Sequence, residues 1–118
     1  MEFDVRFYQT ASGDKPAEIW LSALKSTQPM LERLIVTGLE KLNNSERHGP
    51  PLTTQVDAAN QIFELRVGST NIARVFFFFQ PAREIIVTNG YVKKRQRLDP
   101  RELQRAREYR QDWIARHQ

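Results

Sequence analysis

Gln61-Ile-Phe-Glu-Leu-Arg-Val67, Asn71-Ile-Ala-Arg-Val-Phe-Phe-Phe-Phe79 and Glu84-Ile-Ile-Val-Thr-Asn-Gly-Tyr-Val92 follow one another and run out into Lys93, Lys94, Arg95, Gln96 and Arg97. β-branched and aromatic residues dominate the three runs, and Gly68-Ser69-Thr70 and Gln80-Pro81-Ala82-Arg83 separate them, so the pattern predicts an antiparallel meander with a basic cluster at its exit. In the first run Phe63, Leu65 and Val67 share a side, against Glu64 and Arg66. In the second, Ala73, Val75, Phe77 and Phe79 alternate with Ile72, Arg74, Phe76 and Phe78. Both faces of this strand become apolar toward its end, which places it at the centre of the sheet, covered on two sides. Strict alternation in the third sets Ile86, Thr88, Gly90 and Val92 against Ile85, Val87, Asn89 and Tyr91.

Arginine inside such strands needs a reason, because an unpaired buried guanidinium is very costly. Arg66 and Arg74 must therefore be paired, solvated or held at a concave edge for a ligand. For Arg74 the plain structural alternative is pairing with Glu64 or another carboxylate.

Outward from the meander, Phe3, Val5 and Phe7 alternate with Asp4, Arg6 and Tyr8, as in a short strand with one buried face. Pro16 suits the first turn of a helix, and Ala17, Trp20, Leu21 and Leu24 form its apolar stripe. A second periodic run, Leu31, Leu34, Ile35, Gly38, Leu39 and Leu42, predicts another helix, antiparallel to the first and packed on the sheet. Gly38 costs a helix about 1 kcal/mol relative to alanine, so its place on the apolar side implies close approach to another element. Asn43 to Thr54, with Gly49, Pro50 and Pro51, reads as a loop. After the basic cluster, Asp99 can cap a helix, Pro100 fits its first position, and Glu102 can complete a capping box. Leu103, Ala106, Arg110, Trp113 and Ile114 mark its stripe, in which Arg110 either snorkels outward or pairs across the structure. The expected class is α+β, one domain over residues 1–118, in the order β-α-α-β-β-β-α.

A chain of 118 residues has room for one core, and 27% charged residues with 40% hydrophobic ones place it among ordinary soluble proteins. No apolar run approaches the roughly 20 residues that span a bilayer, and no signal-peptide pattern opens the chain, so the expectation is a cytoplasmic protein with no membrane partner. Cysteine is absent, which excludes disulfides and thiolate chemistry. His48 and His117 stand alone without a ligand motif, so no metal and no cofactor is expected, and both rings are expected to face solvent. The net charge is +4, with nine Lys/Arg against four Asp/Glu in residues 91–118. A positive field so concentrated favours a polyanion or an acidic protein as partner, although a solvated helix face also contributes.

Several segments together give the chain a resemblance to toxins of the RelE/HigB superfamily, in the branch related to phage Gp49. They are Phe7-Tyr8, Ile19-Trp20-Leu21-Ser22-Ala23-Leu24, Phe63-Glu64-Leu65-Arg66, Ala73-Arg74-Val75-Phe76-Phe77, Gly90-Tyr91-Val92-Lys93-Lys94 and the helix from Pro100 to Trp113. The resemblance implies a RelE-like fold and the toxin of a type II toxin–antitoxin system, an mRNA interferase acting in the ribosomal A site. Its cognate antitoxin would be a helix-turn-helix protein encoded alongside. Arg66, Arg74, Lys93 and Lys94 match the family's catalytic cations. Tyr91, Arg95, Gln96 and Arg97 would contact RNA. Members commonly continue Lys-Lys-Thr-Gln-Lys-Thr-Pro, whereas here Arg95 replaces the first threonine and one extra residue precedes Pro100.

Such an endoribonuclease needs no metal and no protein nucleophile, because RNA supplies its own 2′-OH. Fixed guanidinium and ammonium groups stabilise the charge that builds on the scissile phosphate. A lysine crowded by Arg66, Arg74 and Arg95 is pushed toward its neutral form and can act as base, which points to Lys93 or Lys94. Two rival readings use the same cations: a non-catalytic RNA- or DNA-binding module, and a structural or regulatory protein-interaction domain.

Overall fold

A computed structural model describes residues 2–93 and 97–117. The element order is β1 (Asp4–Phe7), α1 (Pro16–Thr27), α2 (Pro29–Lys41), a 3-10 turn (Ser45–Arg47), β2 (Thr53–Asp57), β3 (Ile62–Gly68), β4 (Ile72–Gln80), β5 (Glu84–Lys93) and α3 (Pro100–Arg116). The strands form one sheet in the order β1-β5-β4-β3-β2, with α1 and α2 on one face and α3 on the other.

The meander forms as expected and β4 lies at the centre. Its alternation sends Ala73, Val75 and Phe77 into the core beneath α1 and α2, and Phe76 and Phe78 beneath α3. All five are at most 1% exposed, so the central strand is sealed on both faces. Pro16 and Pro29 open their helices, and α1 stops because Pro29 forces Gln28 out of helical geometry. Gly38 permits the close approach its position implied: a Cβ there would lie 3.0 Å from Leu65 Cδ2 and 3.2 Å from Val67 Cγ1.

Three expectations about the sheet are corrected. The sheet has five strands, not the four of the expected order β-α-α-β-β-β-α, and is mixed: β1 pairs in parallel with β5, and the added strand β2 pairs antiparallel with β3. The predicted loop through Thr54 thus ends early, since strand β2 already begins at Thr53. The third correction is in β5, where Phe77 opposes Val87 but Val75 opposes Gly90. One extra residue at Thr88–Asn89 makes a bulge, and a bulge reverses the inside–outside parity beyond it. Gly90 and Val92 consequently join Ile85 and Val87 beneath the helix pair, while Tyr91 joins Ile86 on the α3 side.

α3 is fastened near its middle and near its C-terminal end. Near the middle of its length Arg107 Nε donates to Asp57 Oδ2 at 2.6 Å, and Asn60 also bonds that carboxylate. Near its end the Tyr8 hydroxyl donates to Asp112 at 2.6 Å, and burial with that bond pushes the phenol up to about 12. Arg116 bridges Asp112 and the Gln9 carbonyl. Arg110, whose role was open, places its guanidinium 5.8 Å from the Phe78 ring. His48 is half-buried, not solvent-facing: it packs against Phe3 and Phe79 and bonds the Leu42 carbonyl. No helix among the described residues is long and apolar enough to cross a membrane.

Candidate functional site

The ladder brings the expected residues to one end of the sheet. Arg66 of β3 lies opposite Arg74 of β4, which lies opposite Tyr91 of β5, and Lys93 follows two residues on. All four take the face that carries α3. Arginine directly opposite arginine is unfavourable in a ladder. Here Glu64, diagonal to Arg74, resolves the conflict: Arg74 Nη1 sits 2.7 Å from Glu64 Oε2. The two side chains are only 9% and 4% exposed, so this is a buried, charge-assisted pair and not a surface contact. Arg66 is exposed and makes no ion pair among the described residues.

Lys93 sits at the last position of β5. Partial loss of water lowers its pKa below the ordinary lysine value; Arg74 and then Arg66 lower it further, while Glu64 opposes them. The Tyr91 ring packs with Phe76, Leu98, Leu103 and Ala106, and its hydroxyl oxygen accepts the Asp99 N–H at 2.9 Å. Burial raises its pKa first among several causes. Tyr91 thus holds down the start of α3.

That start forms the second wall. Asp99 caps α3 by accepting the Arg101 N–H at 2.9 Å. The expected capping box is not made: the Asp99 N–H is taken by Tyr91, and Glu102 instead receives Asn89 Nδ2 and Arg105. A cavity of about 680 Å³ lies between β5 and α3, lined by Tyr91, Lys93, Arg97, Asp99, Arg101 and Glu102. Of the RNA-contact residues expected, Tyr91 and Arg97 reach this cavity together with Lys93; Lys94, Arg95 and Gln96 lie outside the described residues. Among the described residues no three His, Asp or Glu side chains group to hold a metal. The arrangement offers cations of two kinds: Arg74 fixed by its carboxylate, and Lys93, Arg97 and Arg101 around the open space, with Arg66 exposed on the neighbouring strand beyond Arg74.

Sequence reading did not find the wall made by Arg101 and the capped turn of α3, nor the place of Asn89 beside Glu102. The bulge decides the second of these, and nothing in the period-two pattern announces it.

A family model described as Phage derived protein Gp49-like (DUF891) matches residues 20–111, more than three quarters of the chain. The chain belongs to this family. No curated protein matches it. The Gp49-like match begins within α1 and ends within α3, so it takes in all of β3, β4 and β5 and the cavity wall at the start of α3.

Proposed function

We propose that this chain is the toxin of a type II toxin–antitoxin pair, a RelE/HigB-like domain over residues 1–118 that cleaves mRNA in the ribosomal A site without a metal. The observation that carries the reading is the row Arg66, Arg74 and Tyr91 across three strands, with Lys93 beside it at the mouth of a cavity. In the reaction, neutral Lys93 takes the proton of a 2′-OH, and the 2′-oxygen bonds to phosphorus. The 5′-oxygen leaves and takes a proton from water, giving a 2′,3′-cyclic phosphate and a 5′-hydroxyl. Arg66 faces the phosphate oxygens with its planar fork. Arg74, held by Glu64, supplies a fixed charge that keeps Lys93 neutral more of the time. Arg97 and Arg101 extend the surface along the message and ribosomal RNA, and Lys94, Arg95 and Gln96 are the further contacts that the resemblance implies. A cytoplasmic helix-turn-helix antitoxin encoded alongside is the matching partner.

The test is inducible expression with mapping of new mRNA 5′ ends, repeated with Arg66→Ala, Lys93→Ala and Lys94→Ala. The expected result is growth arrest with codon-phased cuts that Lys93→Ala abolishes in a folded protein. Equal toxicity from all four forms overturns the site. One observation favours the second reading, a non-catalytic RNA- or DNA-binding module: the Glu64 carboxylate neutralises one of the cations the chemistry would use. RNA binding with no cleavage in any form selects that reading.

A further inference from the structure

Strand β1 is incompletely covered on the side that faces the helix pair. Phe3, Val5 and Phe7 pack toward α1 and α2, yet each stays half-buried, whereas Ala73, Val75 and Phe77 of β4 on the same face are sealed. The difference is a groove: a cavity of about 750 Å³ opens between β1 and the two helices, with Leu21 and Leu39 among the side chains that line it. Val36 stands in its α2 wall, 36% exposed and off the buried stripe of that helix, so packing within the fold does not account for an aliphatic residue there.

We infer that this groove is a docking site for an amphipathic helix of a partner protein, apolar on one side and rich in lysine or arginine along its flanks. Charge complementarity carries the inference. In a chain of net charge +4 the groove is lined by four carboxylates, Asp4, Glu18, Glu32 and Glu40, and among the described residues Lys25 is the one basic side chain beside them. None of the four makes an ion pair among the described residues, so their charge is open to a partner. Glu32, Val36 and Glu40 recur every fourth residue along one line of α2, which sets a carboxylate at each end of an apolar contact about 12 Å long. A negative rim repels RNA, and the groove lies on the face of the sheet opposite α3, away from the cavity at Lys93.

A helix fits this groove better than an added strand. β1 is an edge strand, but the Asn43 carbonyl already accepts the Phe3 N–H at 2.7 Å and Asn44 bridges Glu2, which closes the start of its outer edge. The Asp4 and Tyr8 N–H groups donate to Arg83 and Val87, on the inner side. Because alternate residues point outward, Val5 and Phe7 are left to form a ladder, too few for a stable strand pair. An apolar helix ridge laid between β1 and the helix pair, with basic flanks reaching the carboxylates, uses what the groove presents.

The test reads binding and stands apart from any cleavage of RNA. A fluorescent synthetic peptide about three helical turns long, with a leucine stripe between lysines, is titrated into the full chain at low salt, and a second peptide carries glutamate in place of every lysine. The lysine peptide is expected to bind roughly tenfold tighter than the glutamate peptide and to shift the Val36 and Leu21 methyl signals in NMR. Glu18→Lys combined with Glu40→Lys, both on exposed side chains without ion pairs, is expected to remove that preference. Val36→Asp is expected to abolish binding of the lysine peptide. Equal binding of the two peptides overturns the inference, as does a preference that survives the double charge reversal or methyl shifts confined to other faces. A chain that sediments as a dimer and dissociates on Val36→Asp also overturns it, because a second copy would then fill the groove.

Discussion

Replacing Glu64 with glutamine keeps the side chain's shape and removes the charge that lets Arg74 lie inside the sheet. Both partners are at least nine-tenths buried and the contact is 2.7 Å, so the cost belongs to the buried regime. There, removal of one partner costs about 3–5 kcal/mol, mostly from the charge left without compensation. A folded domain has only about 5–15 kcal/mol in reserve. With an unfolding entropy near 2.1 cal/mol/K per residue, a chain of 118 residues should lose roughly 12–20 °C in Tm. The assay is urea unfolding followed by tryptophan fluorescence for the wild type, Glu64→Gln, Arg74→Met and the double variant. If stranded charge is the cause, each single variant is strongly destabilised and the double variant recovers most of the loss. A Glu64→Gln protein within about 0.5 kcal/mol of the wild type, a change typical of an exposed site, refutes the reasoning. So does a double variant as unstable as the two singles added together.

Because the Lys93 pKa is lowered and a base works deprotonated, cleavage should rise with pH along an arm below the ordinary lysine range. Arg66→Ala removes one repelling charge and should move that arm to higher pH in single-turnover assays; an unmoved arm counts against Lys93 as base. Asp57→Asn should cost about 1–2 kcal/mol at neutral pH by weakening the bond to Arg107, whose exposure discounts the full value. The Arg107 bond, then Asn60, depress the Asp57 pKa, so this stability is present above the unfolded value and lost as pH falls through the folded one. Urea midpoints of the wild type and Asp57→Asn should therefore converge in acid, and a constant gap would contradict the assignment. Gly90→Ala places a Cβ 2.6 Å from Trp20 Cζ3 and 3.0 Å from the Arg74 carbonyl, and should destabilise by about 1–3 kcal/mol in the same unfolding assay. A gain in stability would mean that Trp20 moves aside freely.

The meander, the helix pair and the capped start of α3 were legible because each has a strong local signature: aromatic and β-branched runs, a stripe after proline, and Asp99-Pro100. β2 was not, because Thr53-Thr54-Gln55-Val56-Asp57 carries a single aliphatic residue and lies at an edge, where half its surroundings are solvent. The parity of β5 was lost at Thr88–Asn89, since a bulge depends on the partner strand. For the site, period-two reading put Arg66, Arg74 and Lys93 in adjacent strands, but which carboxylate met which arginine depended on register. Glu64 faces Phe76 across the ladder and reaches Arg74 only along the diagonal.

The parallel pairing of β1 with β5 joins Asp4 to Glu84, and the Tyr8 hydroxyl bonds a residue 104 positions away. Contacts so distant along the chain place the protein among slower folders, because a long loop must close before they form. As the chain emerges from a ribosome, its first strand can pack on the helix pair but has no strand to pair with until residue 87 is out, and Lys93 comes later still. A chain truncated anywhere earlier would carry an unzipped edge and no assembled cation cluster.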